Sequence, residues 1–409
     1  MKYTRSGQYE LIRLTITTKT ANPVVLDIEP SFTDAAIYES IFDHTMSGNV
    51  SFVDTNNIVQ KYALGHGEII DIEWTTAGVG GSTIHVSGEV YDLAGPNRIG
   101  DHSSGYTLHF ASPESLASIK KRMFSGYMTT CSEIVKQIFE RIRRQSPTKT
   151  KELLADSTRN IENIVFTGQP AINAIQLVVD RAISASGSHG YMFYENNQEF
   201  RLTSLEELYK QEPVIEYTYK SQPAFEDVKN AQEESFNTFQ DFEIDVANKH
   251  ADDILDGQYG SAWGYLSLFD KNMTVVNYDS KASFNSANSL GSNPNLLDNS
   301  FNSDYSDRLT IMYSMYHEPN EEAVVFNKMK LLKASTINVN IGVFGASFIK
   351  VGDVCLASIP SFSSDDFSDK SFDAMSGKFL ISEIKHLLTP KSYNQRLQLL
   401  KDSFEEVIA

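Results

Sequence analysis

The sequence predicts an α+β chain that is mainly β: two similar β-domains separated by an α/β module and a long insertion rich in Asn and Ser. Three observations carry this. A three-part stretch occurs twice, first as GEIIDIE from Gly67, GEVYDL from Gly88 and GYTLHFAS from Gly105. It returns as GDVCLAS from Gly352, GKFLISEIKH from Gly377 and NQRLQLLKDS ending at Ser403. Each copy opens on Gly plus an acid and closes on a strand ending in Ser, so an internal repeat is the first reading. Identity between the copies is low, and two independent antiparallel meanders would read the same way. The hydrophobic period changes from two to helical at Ser112 and returns to two at Ile215. Between Asn248 and Asp307 the composition shifts to Asn, Ser, Asp and Gly.

Residues 1–112 read as strands. Ile12, Leu14 and Ile16 alternate with Arg13, Thr15 and Thr17, and Val24, Leu26 and Ile28 repeat the pattern. Gly48 leads Val50 and Phe52 to a turn at Asp54-Thr55-Asn56-Asn57. Ile70, Ile72 and Trp74 face one way, Asp71 and Glu73 the other. Gly78 to Gly81 is a flexible tip, after which Ile84, Val86 and Val90 continue the sheet; Tyr106, Leu108 and Phe110 close it. About six strands with Gly-rich turns suggest a small barrel or sandwich.

Residues 113–215 read as a compact α/β module. Ser112 is placed to cap a helix that Gly126 ends. Thr130-Cys131-Ser132-Glu133 has the spacing of a capping box, opening a helix with Ile134, Ile138 and Ile142 on one face. Ser146-Pro147 stops it, and Thr148 to Asn160 reads as a loop. Pro170 starts a helix carrying Ile172, Ile175, Val179 and Ile183 and ending at Gly187. A hairpin follows, Tyr191–Tyr194 and Phe200–Thr203 around Asn196-Asn197. Ser204-Leu205-Glu206-Glu207 is a second capping box.

Strand character returns at Ile215–Tyr219 and Phe236–Ile244. Residues 245–309 form an insertion or arm, longer than ordinary loops, with aromatic residues at Tyr259, Trp263, Tyr265, Phe269 and Tyr278. Asn320 is placed to cap a helix that starts at Glu321-Glu322, with acids at its positive end. Residues 310–403 resume the second β-domain from Thr336, with an acidic excursion at Ser361–Asp373, and 404–409 form a tail.

Composition bounds the function. The 409 residues carry Lys+Arg 35 against Asp+Glu 53, a formal charge of −18, which argues against nucleic acid or an anionic membrane as binding partner. It leaves open a channel that nucleic acid passes without sticking. Cys131 and Cys355 are far apart and make neither metal motif nor disulfide framework, as in a chain made in a reducing cytoplasm. The N-terminus lacks the apolar run of a signal peptide.

The sequence contains no G-x-S-x-G, H-E-x-x-H, P-loop or helix-leading G-x-G-x-x-G, and no catalytic, cofactor-binding or metal-binding residue is expected. His85, His102 and His109 share one β-region, but no further ligand completes a metal set; surface histidines are the simpler reading. Asp252-Asp253-Ile254-Leu255-Asp256-Gly257 lacks the alternating acids of a calcium loop. Asp365-Asp366, Asp369 and Asp373 read as a solvated loop. The aromatic residues at 259–278 are open to two readings, a sugar platform or packing at a sheet or interface.

The ordered series GNVSFVDTNNIVQK, GHGEIIDIEW, GYMFYENNQEFRLTSLEELY, YGSAWGYLSLFD, GASFIKVGDVCLASIP and GKFLISEIKHLLTPKSYNQRLQLLKDS resembles the central baseplate hub proteins of contractile-tailed bacteriophages. The resemblance covers nearly the whole chain by order of elements. It implies two similar β-barrel tube domains, 1–112 and 216–244 with 310–403. It implies a homotrimer whose six barrels form a pseudo-hexameric ring between a six-fold tail tube and a three-fold spike. Implied partners are the tail tube protein, the spike or tail-lysozyme protein and the surrounding wedge proteins, with DNA only as passing cargo and no membrane insertion. Implied location is the virion baseplate, after assembly in the host cytoplasm, with no enzymatic activity and no cofactor. A competing reading is a carbohydrate-binding adhesin or tail-associated receptor-binding module that uses the aromatic insertion. A cell-wall hydrolase is disfavoured, because no pair of carboxylates sits in a catalytic context.

Overall fold

A computed structural model describes residues 7–76, 82–100, 103–148, 151–220, 236–239, 241–246, 257, 260–267, 271–292, 309–314, 321–360 and 375–405. The first sheet unit contains β1 (Glu10–Thr17), β2 (Val25–Asp27), a 3-10 turn (Glu29–Ser31), β3 (Phe32–Ser40), β4 (Ser47–Asp54), α1 (Ile58–Lys61), β5 (Ile69–Thr75), β6 (Thr83–Arg98) and β7 (Ser104–Ala111). Its hydrogen-bonded order is β2-β1-β5-β6-β7-β4-β3. The two end strands, β2 and β3, are joined only by the 3-10 turn, so the sheet curls back on itself. Leu14, Phe52, Trp74 and Phe110 pack inside it. Turn chemistry follows the sequence: the Asp54 carboxylate accepts from the N–H groups of Asn56, Ile58 and Val59 and fixes α1.

The module contains α2 (Pro113–Lys120), β8 (Arg122–Met123), β9 (Gly126–Thr130), α3 (Cys131–Arg143), β10 (Leu153–Ala155), β11 (Ile161–Val165), β12 (Gln169–Pro170), α4 (Ala171–Val179), β13 (Tyr191–Glu195), β14 (Phe200–Ser204) and α5 (Leu205–Tyr209). Ile134, Ile138 and Ile142 of α3 pack on Ala174, Ile175 and Val178 of α4, with Phe193 and Phe200 beneath them. Four local expectations need correction. α4 ends at Val179, so Ile183 and Gly187 lie beyond it. The first helix stops at Lys120, and Gly126 opens β9 instead. Thr130 makes no side-chain cap bond, and Glu133 turns outward to Lys136 at 2.8 Å. The expected loop at 148–160 contains β10, which pairs in parallel with β14. At Ser204 the cap forms: its hydroxyl accepts from Glu207 N–H.

The second unit contains β15 (Ile215–Tyr219), β16 (Thr238–Phe239) and β17 (Asp241–Val246). After the chain makes β18 (Gly260–Ser267), β19 (Asn272–Asp279), α6 (Ser280–Ser286), β20 (Leu309–Ser314) and α7 (Glu321–Ala334), the unit continues with β21 (Ile337–Phe344), β22 (Val354–Ser358), β23 (Gly377–Thr389) and β24 (Ser392–Lys401). β18, β19 and β20 form a separate three-stranded sheet. Leu309–Ser314 therefore pairs with the inserted segment rather than with the second unit. Thr336 precedes β21, where strand character was expected to resume.

The order of the second unit is β16-β15-β22-β23-β24-β21-β17. Ranked by position in the chain, this is the permutation of the first unit, strand for strand. One strand differs in direction: β1 is antiparallel to β5, whereas β15 is parallel to β22. The repeat extends to single hydrogen bonds. Gly67 and Gly352 both sit at φ +87. Gly67 N–H donates to Val90 O and Val90 N–H to Glu68 O; Gly352 N–H donates to Ile381 O and Ile381 N–H to Asp353 O. One residue later each ladder slips, at Tyr91 and at Ser382. Two independent meanders would have no reason to share a strand permutation, a left-handed glycine and a bulge. The mainly β fold class with its inserted α/β module is found; among the described residues the strand pairs do not close a ring in either unit.

The matched glycines test the local chemistry. An added Cβ at Gly352 meets the Tyr194 hydroxyl, held in the core, whereas at Gly67 it meets the flexible end of Lys19 at 2.5 Å. Both substitutions carry the cost of a left-handed residue, roughly 1 kcal/mol. Gly352→Ala is expected to lower stability in denaturant by about 1–3 kcal/mol more than Gly67→Ala.

Candidate functional site: the seam between the two sheet units

Among the described residues the two units merge into one 14-stranded sheet through a single ladder, β3 against β23. β23 pairs with β22 through Leu380, then with β3 from Glu383↔Ser40 to Leu388↔Ala35. The bulge at Ser382 lies where β23 leaves one neighbour for the other, and its carbonyl accepts from Ile41 N–H at 2.9 Å. Leu388 and Tyr393 of the second unit fill the core of the first.

A buried polar chain crosses the ladder. Glu39 on β3 and His386 on β23 are both fully buried, with His386 Nε2 2.9 Å from Glu39 Oε1. His386 Nδ1 is 2.7 Å from the Tyr393 hydroxyl, and Gln395 Nε2 donates to that hydroxyl at 2.9 Å. Gln395 Oε1 accepts from Ala346 N–H, which fixes its amide orientation. Gln395 Nε2 also lies 3.3 Å from His386 Nδ1, so the amide, the hydroxyl and the imidazole form one connected polar group beside the carboxylate. Trp74 packs edge-on against both rings, centroids 5.7 and 6.0 Å away. Burial pushes the Tyr393 phenol up, which keeps it a neutral donor.

The module locks onto this seam through the turn between β13 and β14. Glu195 is buried; it accepts from Lys151 Nζ at 2.8 Å, from Met46 N–H at 2.9 Å and from the Ser112 hydroxyl. Ser112 is thus used as a seam residue instead of a helix cap. Asn197 N–H donates to Glu39 Oε2 at 3.2 Å, and its side chain donates to Ile349 O at 3.4 Å. Lys350 Nζ reaches Gln198 Oε1 at 2.9 Å. The stretch from Glu195 to Gln198 therefore touches the first unit, the second unit and the module. A second joint lies at α7, where Asn327 Oδ1 accepts from Gly190 N–H at 2.7 Å and Nδ2 donates to Asp180 O and Ala182 O. His189 stacks on Phe326 there, and burial, then Lys330 and Arg159, lower its pKa to about 4.

The residues singled out in the sequence do not gather. His85 lies beside Asp71 at 3.3 Å, and His109 lies against Tyr91. His102, Gly78 to Gly81, Asp252 to Asp256, Ser361 to Asp373, Asn320, Tyr259 and Phe269 fall outside the described residues, as do the side chains of Glu321, Glu322 and Tyr265. No group of three or more His, Cys, Asp and Glu among the described residues is placed to hold a metal. Trp263 and Tyr278 are buried against Val325 and Met329 of α7, so these two rings pack and offer no open sugar platform. Cys131 and Cys355 are buried free thiols. Burial, with the Glu162 carboxylate adding to it, lifts Cys131 to about 12, which leaves it a thiol at neutral pH. Among the described residues no helix is long and apolar enough to cross a membrane. What this arrangement can do is join sheets and fix their relative position.

No family model matches the chain. In sequence, it is 25% identical over 400 residues to the probable baseplate hub protein gp334 of Vibrio phage KVP40, covering 92% of this chain and 91% of that one. In fold, it matches a 43 kDa tail protein of prophage MuSo2 from Shewanella oneidensis (TM-score 0.56, 8% identity, 96% of this chain and 98% of the other). It also matches a tail protein from Neisseria meningitidis MC58 (TM-score 0.57, 10% identity, 95% and 97%). The likeness to phage baseplate hub proteins that the sequence implied is thus found along nearly the whole chain. It is a likeness to structural proteins of phage tails.

Two measurements test the seam chemistry. His386→Leu leaves the Glu39 carboxylate buried with one donor, and is expected to cost about 3 kcal/mol in denaturant unfolding. Glu39→Leu with His386→Leu is expected to recover most of that loss; equal losses would show the pair is not coupled. His189 has a folded pKa below its ordinary value of about 6.5, so protonation favours the unfolded chain. Its contribution is intact above pH 6.5 and lost as pH falls towards 4. His189→Gln should flatten the stability profile over that window.

Proposed function

We propose that the chain is the structural hub of a contractile tail baseplate. In this reading it is a homotrimer in which the two sheet units, β1 to β7 and β15 to β17 with β21 to β24, act as two tube domains per chain. Six such domains form a pseudo-hexameric ring that adapts a six-fold tail tube above to a three-fold spike or tail-lysozyme protein below. The module and the segment between β17 and β21 face the wedge proteins around the ring. DNA passes the bore as cargo, and the chain neither catalyses a reaction, binds a cofactor nor enters a membrane. It works in the virion, after assembly in the host cytoplasm.

The observation that carries this reading is the repeated strand permutation joined by one ladder. A three-fold object presents a six-fold face only if each chain offers two equivalent but not identical units at a fixed angle. The buried network at the seam supports a fixed angle. The likeness to gp334, a probable baseplate hub protein, points the same way. The charge of −18 per chain supports passage of DNA without adhesion.

The expected outcome in sedimentation analysis is a species of three times the 45.8 kDa chain mass, with a central hole in negative stain. A monomer at high concentration contradicts the reading.

A further inference from the structure

The module contains a two-stranded ribbon that is apolar on both faces. β9 pairs with β11 from Gly126↔Val165 to Thr130↔Ile161, and β8 with β12 extends the ribbon. Alternation sends Met123, Tyr127 and Phe166 into the core of the module, where Tyr127 meets Phe166 edge-on. The other face presents Phe124, Met128, Ile161 and Val165 to solvent. At 79, 73 and 67% exposure, Met128, Phe124 and Val165 are the three most exposed large apolar side chains among the described residues. Met128 lies opposite Asn163, so Ile161 and Val165 are its diagonal neighbours. Apolar residues scattered singly over a surface need no explanation; a contiguous set on one strand pair does.

The face is built and braced. A Cβ added at Gly126 would meet Val165 at 3.6 Å, and one added at Gly168, whose φ is +116, would meet the Phe124 ring at 3.0 Å. The two glycines therefore let Val165 and Phe124 rest on the ribbon backbone. Arg141 Nη1 donates to Ser125 Oγ at 2.7 Å, with its guanidinium 5.7 Å from the Tyr127 ring, and Arg122 Nη1 donates to Gly168 O at 3.3 Å. The local charge is opposite in sign to that of the chain. Residues 119–130 and 161–169 hold Lys120, Lys121 and Arg122 against one acid, Glu162, a net +2 in a chain of −18. Glu162 is buried, 2.8 Å from Asn160 Nδ2. Lys120 reaches Glu89 of the first unit at 3.4 Å. Arg122 and Arg141 give their described hydrogen bonds to neutral oxygens.

We infer that this face docks an acidic segment of a different protein of the tail, which lays apolar side chains on Phe124, Met128 and Val165 and sets carboxylates against Arg122 and Arg141. The inference rests on the hub reading only in placing that partner in the tail. Two considerations select the occupant. The strands of the ribbon pair with neither sheet unit, so a ring closed through the units leaves the face uncovered by a second copy. Recognition of an anionic lipid surface takes a cluster of about 4–8 cations; with Lys120 paired, the rim offers Lys121, Arg122 and Arg141. A protein surface needs fewer charges, because burial of the apolar centre supplies the affinity and the charged rim sets the choice of partner.

Hydrogen peroxide converts accessible methionine to its sulfoxide, and Met123 on the inner face is an internal standard. In the purified chain, whatever its oligomeric state, Met128 is expected to oxidise several-fold faster than Met123. In purified tails it should slow to the rate of Met123. Replacing Val165 by the photo-crosslinker p-benzoylphenylalanine should then join the chain, in tails, to a peptide of another protein in which Asp and Glu outnumber Lys and Arg. Protection of Met128 already in the purified oligomer, a cross-link to a second copy, or a basic or neutral cross-linked peptide overturns the inference. Equal reactivity of Met128 in the purified chain and in tails overturns it and leaves the hub reading standing. Absence of the chain from tails overturns both. Adsorption of the purified chain to phosphatidylglycerol vesicles that is lost in Met128→Glu assigns the face to lipid and also overturns it. Met128 and Val165 are exposed, and circular dichroism of the variants confirms their folding.

Discussion

A sheet that curls without closing must do something with its last strand, and here one ladder settles the matter. β3 is the last strand of the first unit, and β23 accepts it along six residue pairs. Because β23 also belongs to β22 and β24, the pairing transfers the geometry of one unit directly onto the other. Backbone hydrogen bonds alone would tolerate slippage by two residues. The Glu39–His386 pair does not, since a slip would strand a buried carboxylate away from its donors. Buried charged groups of this kind are weak evidence for stability and better understood as fixing register. Asn197 and Glu195 extend the same logic to the module, whose hairpin turn is held in the notch where the two units meet.

The consequence for function is geometric. The two units share their strand permutation but differ in the direction of one strand. A pair of units that is alike in outline and unlike in detail is what a junction between symmetries requires. No group of three or more His, Cys, Asp and Glu among the described residues is placed to hold a metal, and the polar network of the seam is engaged in joining strands.

Much of this was legible from residues. Alternation at Leu14–Ile16 and Ile70–Trp74 marked strands, and the Gly-acid openings at Gly67 and Gly352 marked the repeat. The reason is physical: a left-handed glycine and a period of two are local properties. The strand permutation and the seam are not local. Nothing around Glu39 or His386, separated by |i−j| 347, announces that they meet. Asn196-Asn197 read as an ordinary turn because its chemistry is that of one; its side chain and backbone simply have a second use. Ser112 and Thr130 misled for the opposite reason. Their spacing matched helix caps, but tertiary partners claimed the Ser112 hydroxyl, and β9 occupied the residues before Thr130. Short strands such as β10 lay in polar sequence and took their pairing from β14.

The central claim is that one chain supplies two equivalent positions in a three-fold ring. A cryo-EM reconstruction of the purified assembly with no symmetry imposed tests it most directly. The account predicts a three-fold ring whose density at the radius of the sheet units carries a strong six-fold component, with six similar seams around the bore. A particle with two-fold symmetry, or a three-fold particle whose two sheet units lie at different radii, would contradict it.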